Sequence, residues 1–594
     1  MSADTEPVVL HSPVPHPRPW RAKPPRLWPA VAAVVVYWAV TISVGRIEKS
    51  YFVGFIFGLA APVLLALFFL GWWWLSRRIR LSDRLYGFLV VVAGWLIAWP
   101  LAHPSVGFFG LLMMALPVVL TVWTLWMLAV KWWVPGWYRP GALVVVAAAW
   151  GFFLLVRHDG LDSDLRADLR WRWSRTAEEI FLAERAAERE SRPQLIANSP
   201  LTLRPGDWSE FRGPARDGVI AGVSIATDWN KNPPRPVWRH RVGPAWSSVI
   251  VVDGRLFTQE QHGDTEAVVC YDADTGKELW SRDDPQRFWE SVSGAGPRAT
   301  PTFVDGRLYT LGATGVLNCL DAASGSVHWS RNIAAEAGAK PPMWGCSGSP
   351  LVVDGLVIAF AGGDGDNDLV AYRAASGEPV WTAATGAISY SSPQLATLAG
   401  KPQCLMLTDR GLTSVDPATG QVLWKTGAAM PGAPRTVQPR VVGPTQLLVG
   451  TLDGAGMSLI DVTKDGDHWN VSQRWTSKDL KPEFPDYVVH QGHAYGFDRK
   501  VFCCIDLSTG KRTWEEGRYG RGQVMVLPDQ SLLLVVSEGG EIVLLKADAE
   551  RHEELDRFQA IKGKTWNHPV IAHGRLYVRN AEEMACYELA PVAK

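Results

Sequence analysis

Apolar and polar positions divide this chain into two regimes. Nearly all the long apolar runs lie before residue 157, whereas short alternating runs punctuated by turns fill residues 240–590. The second regime is periodic. CYDADTGKELW at Cys270–Trp280 is a half-buried strand, a tight turn and a second strand. It returns as CLDAASGSVHW (Cys319–Trp329), AYRAASGEPVW (Ala371–Trp381), SVDPATGQVLW (Ser414–Trp424) and CIDLSTGKRTW (Cys504–Trp514). Gly276, Gly325, Gly377, Gly420 and Gly510 stand where a short hairpin needs a left-handed residue. Each closing Trp is a large apolar body that two packed sheets can bury.

Closing aromatic residues recur at Trp238, Trp280, Trp329, Trp381, Trp424, Trp475, Trp514 and Phe558, a spacing that suits a four-stranded propeller blade with variable loops. A second marker alternates with the first: small residues, a β run and a turn, as in Ser247–Phe257, Ala299–Tyr309, Ser347–Ile358 and Asn567–Val578. Weaker versions start near Ser391, Thr436, Val488 and Gly522. Both markers count eight, which predicts an all-β, eight-bladed propeller over 208–594. Residues 236–241 carry a Trp without the rest of a blade, and 584–589 lack the Trp strand that should follow. Pairing the two would close the ring and remove an exposed sheet edge.

The first regime predicts an N-terminal α-helical transmembrane domain over 27–156, with five segments near 27–45, 51–75, 85–102, 106–130 and 137–156. A bilayer-spanning helix needs about 20 apolar residues. The Trp clusters at 72–74 and 132–133 sit at segment ends, as interfacial rings do. Residues 1–26 are rich in Pro, basic, and expected to be a disordered cytoplasmic tail. Arg77, Arg78, Arg80 and Arg84, and then Lys131 and Arg139, fall on the same side as that tail if the N-terminus is cytoplasmic. Arg46 and Lys49, with Glu48 between them, are a mild exception. Five crossings then place everything after 157 outside the cytoplasm. A cleaved signal peptide is the other reading of the first segment; four further segments and the lack of a small-residue cleavage pattern argue against it. The first cysteine is Cys270, so no N-terminal lipoprotein anchor is expected.

Residues 157–207 read as a charged helical spacer and linker. Leu161, Leu165, Leu169 and Trp173 form a one-face stripe, and Thr176 with Glu179 forms a capping box ahead of IFLAERAAERE. The spacer is either solvated or packed on the membrane surface or on the propeller. The linker is 191–207. The Trp/Phe-rich segment WSEFRGPARDGV (Trp208–Val219) is expected to plug or cap the propeller. The whole chain has 59 basic and 59 acidic residues, which gives no electrostatic reason to expect nucleic acid.

The units Y/L-D-x-x-T/S-G-x-x-x-W, preceded by D-G hairpins, resemble the PQQ-like, or quinoprotein-type, repeat over about 240–590. The segments WRWSRTAEE and WSEFRGPARDG resemble a membrane-anchored bacterial group of such proteins. The resemblance implies two kinds of function. Propellers of the BamB type are non-catalytic scaffolds in outer-membrane protein assembly. Quinoprotein dehydrogenases oxidise alcohols or sugars with PQQ and a metal such as Ca²⁺, and membrane-bound glucose dehydrogenase is similar in placing five membrane segments before an eight-bladed propeller.

A PQQ enzyme needs a general base, a divalent cation on hard oxygen ligands and a clamped flat cofactor. Adjacent cysteines bridge over the cofactor in many of the alcohol dehydrogenases that the resemblance brings in, and this chain has Cys503 and Cys504. But Cys504 occupies a strand position of the repeat also held by Cys270, Cys319 and Cys586, which favours buried thiols. Seven cysteines leave at least one without an intramolecular partner. DGDND at Asp364–Asp368 fails the EF-hand pattern, because Leu369 replaces the Gly and Ala375 the last ligand; a solvated loop is the expectation. His490 and His493 have no third metal ligand in view. GAGPRA at Gly294–Ala299 is followed by no helix, and no metal site is expected. The residues leading into the inner strands make an aromatic and polar ring at the channel mouth: Trp246, Arg298, Trp344, Tyr390, Gln438, His490, Trp566 and His568. It serves as channel packing, as a pocket that would take PQQ in the dehydrogenase reading, or as a docking face. The sequence favours a scaffold integral to the bacterial inner membrane, with its propeller periplasmic and a protein partner at a blade rim. A PQQ-dependent dehydrogenase passing electrons to membrane quinone is the alternative.

Overall fold

The computed structural model describes residues 26–46, 51–133, 138–190, 200–363, 365–427, 435–450 and 456–592. The basic tail before Arg26, most of the linker, residues 47–50 with Glu48 and Lys49, and Asp364 lie outside the described residues. The described residues form two compact units, one within 1–44 and 57–157, the other within 45–56 and 158–594.

The first unit is helical: Trp28–Arg46, Tyr51–Leu75, Leu81–Leu101, a helix that starts at Gly107–Gly110 and passes a π turn at Leu111–Ala115 into Leu116–Trp133, and Tyr138–Leu155. Among the described residues four helical stretches are long and apolar enough to cross a membrane, and Trp28–Val44 is a shorter apolar helix. Trp73, expected at an interface, turns into the bundle instead, its ring 4.6 Å from that of Trp123. Facing aromatic rings bury more there than at a helix end.

The second unit holds eight four-stranded antiparallel sheets. Blades 1 to 8 start from the inner strands Ile250–Val252, Thr302–Val304, Leu351–Val353, Gln394–Leu398, Arg440–Gly443, Val488–His490, Gln523–Leu527 and Val570–Ala572. In blades 1, 2 and 3 an Asp-Gly pair with both φ positive reverses the chain after the inner strand, for example Asp354 (φ 48°) and Gly355 (φ 75°). That is the turn whose twist matches a hairpin. The outer strand of blade 8 is Arg235–Arg241, which pairs antiparallel with Glu583–Glu588 and sets Trp238 opposite Cys586.

The repeat motif holds one blade to the next. Trp280 of blade 1 donates its indole N–H to the Ala322 carbonyl of blade 2 at 3.3 Å. Trp329 does the same to Ala374 (3.0 Å), Trp381 to Pro417 (3.0 Å) and Trp475 to Leu507 (2.9 Å). Each ring lies over the Gly of its neighbour's turn: a Cβ on Gly325 would stand 2.6 Å from Trp280, and one on Gly377 2.7 Å from Trp329. Trp514 keeps the bond, to the Asp548 carbonyl at 2.9 Å, without a glycine beneath it, and Trp424 departs further. Blade 5 has no Thr-Gly turn beside it, and Trp424 bonds Gln403 Oε1 of its own blade at 2.7 Å.

All seven cysteines are buried thiols. Cys503 and Cys504 alternate on one strand, and successive side chains of a strand point to opposite faces. They pack in different clusters and no bridge joins them. Burial pushes Cys346, Cys404 and Cys586 up to about 12 and Cys504 to about 11. The folded protein is therefore expected to resist thiol-specific alkylation at neutral pH and to release all seven thiols on denaturation. One rapidly modified cysteine in the native state, located by mass spectrometry, would contradict this.

Residues 158–173 depart from the helical expectation. Val156–Leu161 and Ala167–Trp171 are strands of a two-stranded sheet. Asp162 accepts N–H bonds from Asp164 and Arg166, both at 2.8 Å, and Leu165 is left-handed at φ 63°. These local bonds reverse the chain, and contacts with the propeller hold the turn. The capping box forms as expected: the Thr176 N–H donates to Glu179 at 2.8 Å, the Glu179 N–H to Thr176 Oγ1 at 3.0 Å, and the helix runs Ala177–Glu190. It is not a solvated spacer. Arg185 pairs with Glu278 at 2.7 Å, Glu178 with Arg287 at 2.9 Å, and Phe181 lies against His262 on blade 1.

Candidate functional site

Trp208–Val219 crosses the channel and touches every blade. Trp208 exchanges main-chain bonds with Val251, and the Ser209 carbonyl accepts from Phe303. Arg216 donates to the carbonyls of Ser349 and Pro350, and the Ala215 carbonyl accepts from Gln394. Asp217 pairs with Arg440, Arg212 donates to the Tyr487 carbonyl, and Gly218 bonds Val526. Phe211 lies edge-on against His568 at 5.0 Å, ahead of the blade 8 strand. Arg212 and Arg216 are left-handed (φ 61° and 53°), a backbone that splays their side chains to opposite sides of the ring. The segment expected as a plug is an axle.

A belt of hydrogen bonds runs round the channel above the axle. The N–H of Ser248 donates to Thr300 Oγ1 (3.1 Å), that of Thr300 to Ser349 Oγ (2.9 Å), and that of Ser349 to Ser392 Oγ (2.9 Å). Ser392 continues to Gln438 Oε1 (3.2 Å), Gln438 to Asp486 Oδ1 (2.9 Å), and Asp486 to Gln523 Oε1 (3.2 Å). The Gln523 amide bonds the Trp566 carbonyl at 3.0 Å, and the Asn567 amide returns to the Ser247 carbonyl at 2.8 Å. The first six bonds satisfy buried backbone donors, the last two backbone carbonyls, and each ties adjacent blades.

Two residues before the belt positions Ser248, Thr300, Ser349, Ser392, Gln438 and Asp486 stands a rim residue, and Trp566 completes the rim ahead of blade 8. Trp246, Arg298, Ser347, Tyr390, Thr436, Phe484 and Trp566 line a cavity of about 200 Å³, with Trp344 beside them and Phe211, Asp486 and His568 toward the axle. Seven of the residues expected at the mouth line this one cavity: Trp246, Arg298, Trp344, Tyr390, Gln438, Trp566 and His568. His490 does not. It lies within the blade 6 strand and bonds Ser531 Oγ at 3.1 Å, and the rim position of that blade belongs to Phe484. Gln438 lines the wall as a belt member rather than a rim residue. The fixed two-residue spacing between rim and belt is the sequence signal that would have found Phe484 and Asp486.

The rim is aromatic and its charges are engaged. Trp246 and Trp566 lie 4.9 Å apart with the Lys564 ammonium over both rings, at 5.1 and 4.6 Å. Burial pulls Lys564 down to about 8. Trp344 and Tyr390 are 5.0 Å apart. Arg298 pairs with Glu290 at 3.2 Å and lies 4.6 Å over Phe288; burial lowers it to about 10, so it stays charged. Asp486, the one carboxylate in the wall, is 3.6 Å from Arg212, and burial raises its pKa. His568 stands 3.6 Å from Asp486, but burial and the Arg212 charge push it well below its ordinary value, so the imidazole is neutral.

Residues 266–516 match the family model described as outer membrane protein assembly factor BamB. The second unit is a PQQ-like repeat β-propeller. No curated protein sequence matches the chain significantly. Among solved structures, BamB from Moraxella catarrhalis is 16% identical with a TM-score of 0.44, covering 60% of this chain and 100% of its own. The quinohemoprotein alcohol dehydrogenase ADHIIG from Pseudomonas putida HK5 is 14% identical (TM-score 0.49; 66% of this chain, 81% of its own). The quinohemoprotein alcohol dehydrogenase from Comamonas testosteroni is 13% identical (TM-score 0.49; 70% and 85%).

A flat quinone tricarboxylate held with a divalent cation needs several cations aimed at it and a set of converging oxygen ligands. In this PQQ-like propeller the cavity wall offers one carboxylate, already paired with Arg212, and an Arg298 engaged by Glu290. Among the described residues no three His, Cys, Asp or Glu side chains converge on a metal position. His490 and His493 bond Ser531 and the Gln491 carbonyl instead, and Asp368 is buried and capped by the N–H groups of Thr385 and Gly386. The donor set does not fit a metal-bound quinone.

Proposed function

We propose that this chain is a membrane-anchored, non-catalytic binding scaffold of the bacterial inner membrane. Its N-terminus faces the cytoplasm, its PQQ-like propeller faces the periplasm, and a protein partner docks on the propeller rim. The description of the matching family model, an outer membrane protein assembly factor, supports a role in envelope protein assembly. One observation carries the reading. The Ser, Thr and Gln groups of the channel wall are engaged in the blade-to-blade belt, and Asp486, the carboxylate that lines the cavity, is held by Arg212, which argues against a poised base or an oxygen cage in that cavity. What remains is an aromatic rim flanked by exposed Trp289 and Met343, a surface suited to recognition. The orientation rests on the basic residues Arg77, Arg78, Arg80 and Arg84, which share one side with the basic N-terminal tail.

The test is titration of the purified full-length protein with PQQ and Ca²⁺, followed by cofactor absorbance and by dye reduction with alcohols and sugars. No saturable binding and no turnover are expected. One-to-one binding with turnover would replace the scaffold with a quinoprotein dehydrogenase.

A further inference from the structure

The turn between the two strands that precede the axle is seated in the channel mouth by side chains of blades 6 to 8. The Leu161 N–H donates to the Val292 carbonyl at 2.7 Å, and the Leu161 carbonyl accepts from Lys564 at 2.9 Å. Glu538 accepts from both the N–H (3.1 Å) and the Oγ (2.5 Å) of Ser163, whose carbonyl accepts from Arg521 at 2.7 Å. Lys500 pairs with Asp164. Gly160 is left-handed at φ 113°, and a Cβ there would meet the Val292 carbonyl at 3.1 Å and the Lys564 ammonium at 3.2 Å.

We infer that this mouth is a recognition site for acidic polypeptide turns, filled in cis by the chain's own Asp159–Asp164 and able to take a partner's turn in its place. The inference rests on the scaffold reading and names the chemistry of its partner. Three features argue for it. First, most contacts reach the main chain of the turn, so they read its shape more than its side chains. Second, Lys500, Arg521 and Lys564 meet a turn carrying Asp159, Asp162 and Asp164, which is charge complementarity of the kind that steers association. Third, Ser163 is the one side chain of the tip that is fully buried, so polar bonds rather than apolar burial hold the turn, and segments held this way open locally. The cavity of about 200 Å³ shares Val292 and Trp566 with this seat. A partner's turn with an aromatic side chain in the place of Ser163 is expected to gain contact with Trp566, which bonds Glu538 beside that position.

The experiment uses the full-length protein in detergent and a labelled peptide of sequence DGLDSDLR, corresponding to residues 159–166. Gly160→Val evicts the cis turn sterically, and Asp164→Lys evicts it by repulsion from Lys500 and Arg521. Hydrogen exchange confirms that 159–166 is released while the blades stay protected, so at least one variant reports on a folded propeller. Either released variant is expected to bind the peptide at least about tenfold more tightly than the wild type, whose site is occupied. Replacing the peptide's serine by phenylalanine should tighten binding further, and Lys564→Ala in the released background should weaken it. Equal peptide affinity in wild-type and released protein, or no binding to a released and folded variant, would overturn the inference. Such a failure with a blank PQQ titration would leave the scaffold reading intact, whereas cofactor turnover would remove that reading whatever the peptide does.

Discussion

Arg212→Met is expected to destabilise the propeller by about 3–5 kcal/mol, the usual cost of leaving one member of a buried ion pair without its partner. Arg212 is 4% exposed, stands 3.6 Å from Asp486, and donates to the Tyr487 carbonyl at 2.6 Å and the Asp217 carbonyl at 3.2 Å. Methionine keeps much of the volume and removes every donor. Asp486 would then be an uncompensated buried carboxylate in the belt, and the axle would lose its hold on blade 6. Asp486→Asn relieves the charge while keeping an acceptor for the Gln438 N–H. The double variant should therefore recover part of the loss, by on the order of 1–2 kcal/mol. Denaturant titration of the full chain, followed by the far-ultraviolet β signal, measures both. A single variant as stable as wild type would mean that the axle does not bear on the ring.

Gly325→Ala is expected to cost about 2–4 kcal/mol, combining a left-handed penalty with overpacking. Gly325 has φ 73° and would place its Cβ 2.6 Å from Trp280 Cε3. Gly355 has nearly the same backbone, φ 75°, with nothing within 4 Å of its Cβ. Gly355→Ala should cost only the backbone part, about 1–2 kcal/mol. The difference between the two variants isolates the ring of the preceding blade. Equal losses in the same denaturant titration would show that the Trp contributes nothing to the turn's demand for glycine.

These two residues mark how far the sequence could be read. The left-handed turn at Gly325 was visible in the repeat itself, because hairpin geometry is local. The ring lying over it was not, because Trp280 comes from another blade and nothing in one repeat says which face its neighbour covers. The site shows the same division. Trp246, Tyr390 and Trp566 stand ahead of the inner strands, where position alone marks a rim residue, whereas Gln438 and His490 stand further along. In blade 6 the sequence VVHQGH drew attention to His490, whereas the register of the belt puts Phe484 on the rim and Asp486 in the ring. Cys503 and Cys504 read correctly as strand residues, since alternation alone sends adjacent side chains to opposite faces.

The eight-bladed propeller and the apolar helices before it are legible in the amino-acid sequence alone. Both follow from periodicities that act within a few residues: strand alternation, turn glycines and long apolar runs. Tertiary structure decided how the polar residues at the mouth are used, where the axle sends its arginines, and why residues 158–173 form a hairpin rather than a continuous helix. Those outcomes depend on partners far away in the chain. Glu538 and Arg521 capture Ser163 across more than three hundred residues, and no local pattern around Ser163 announces either of them.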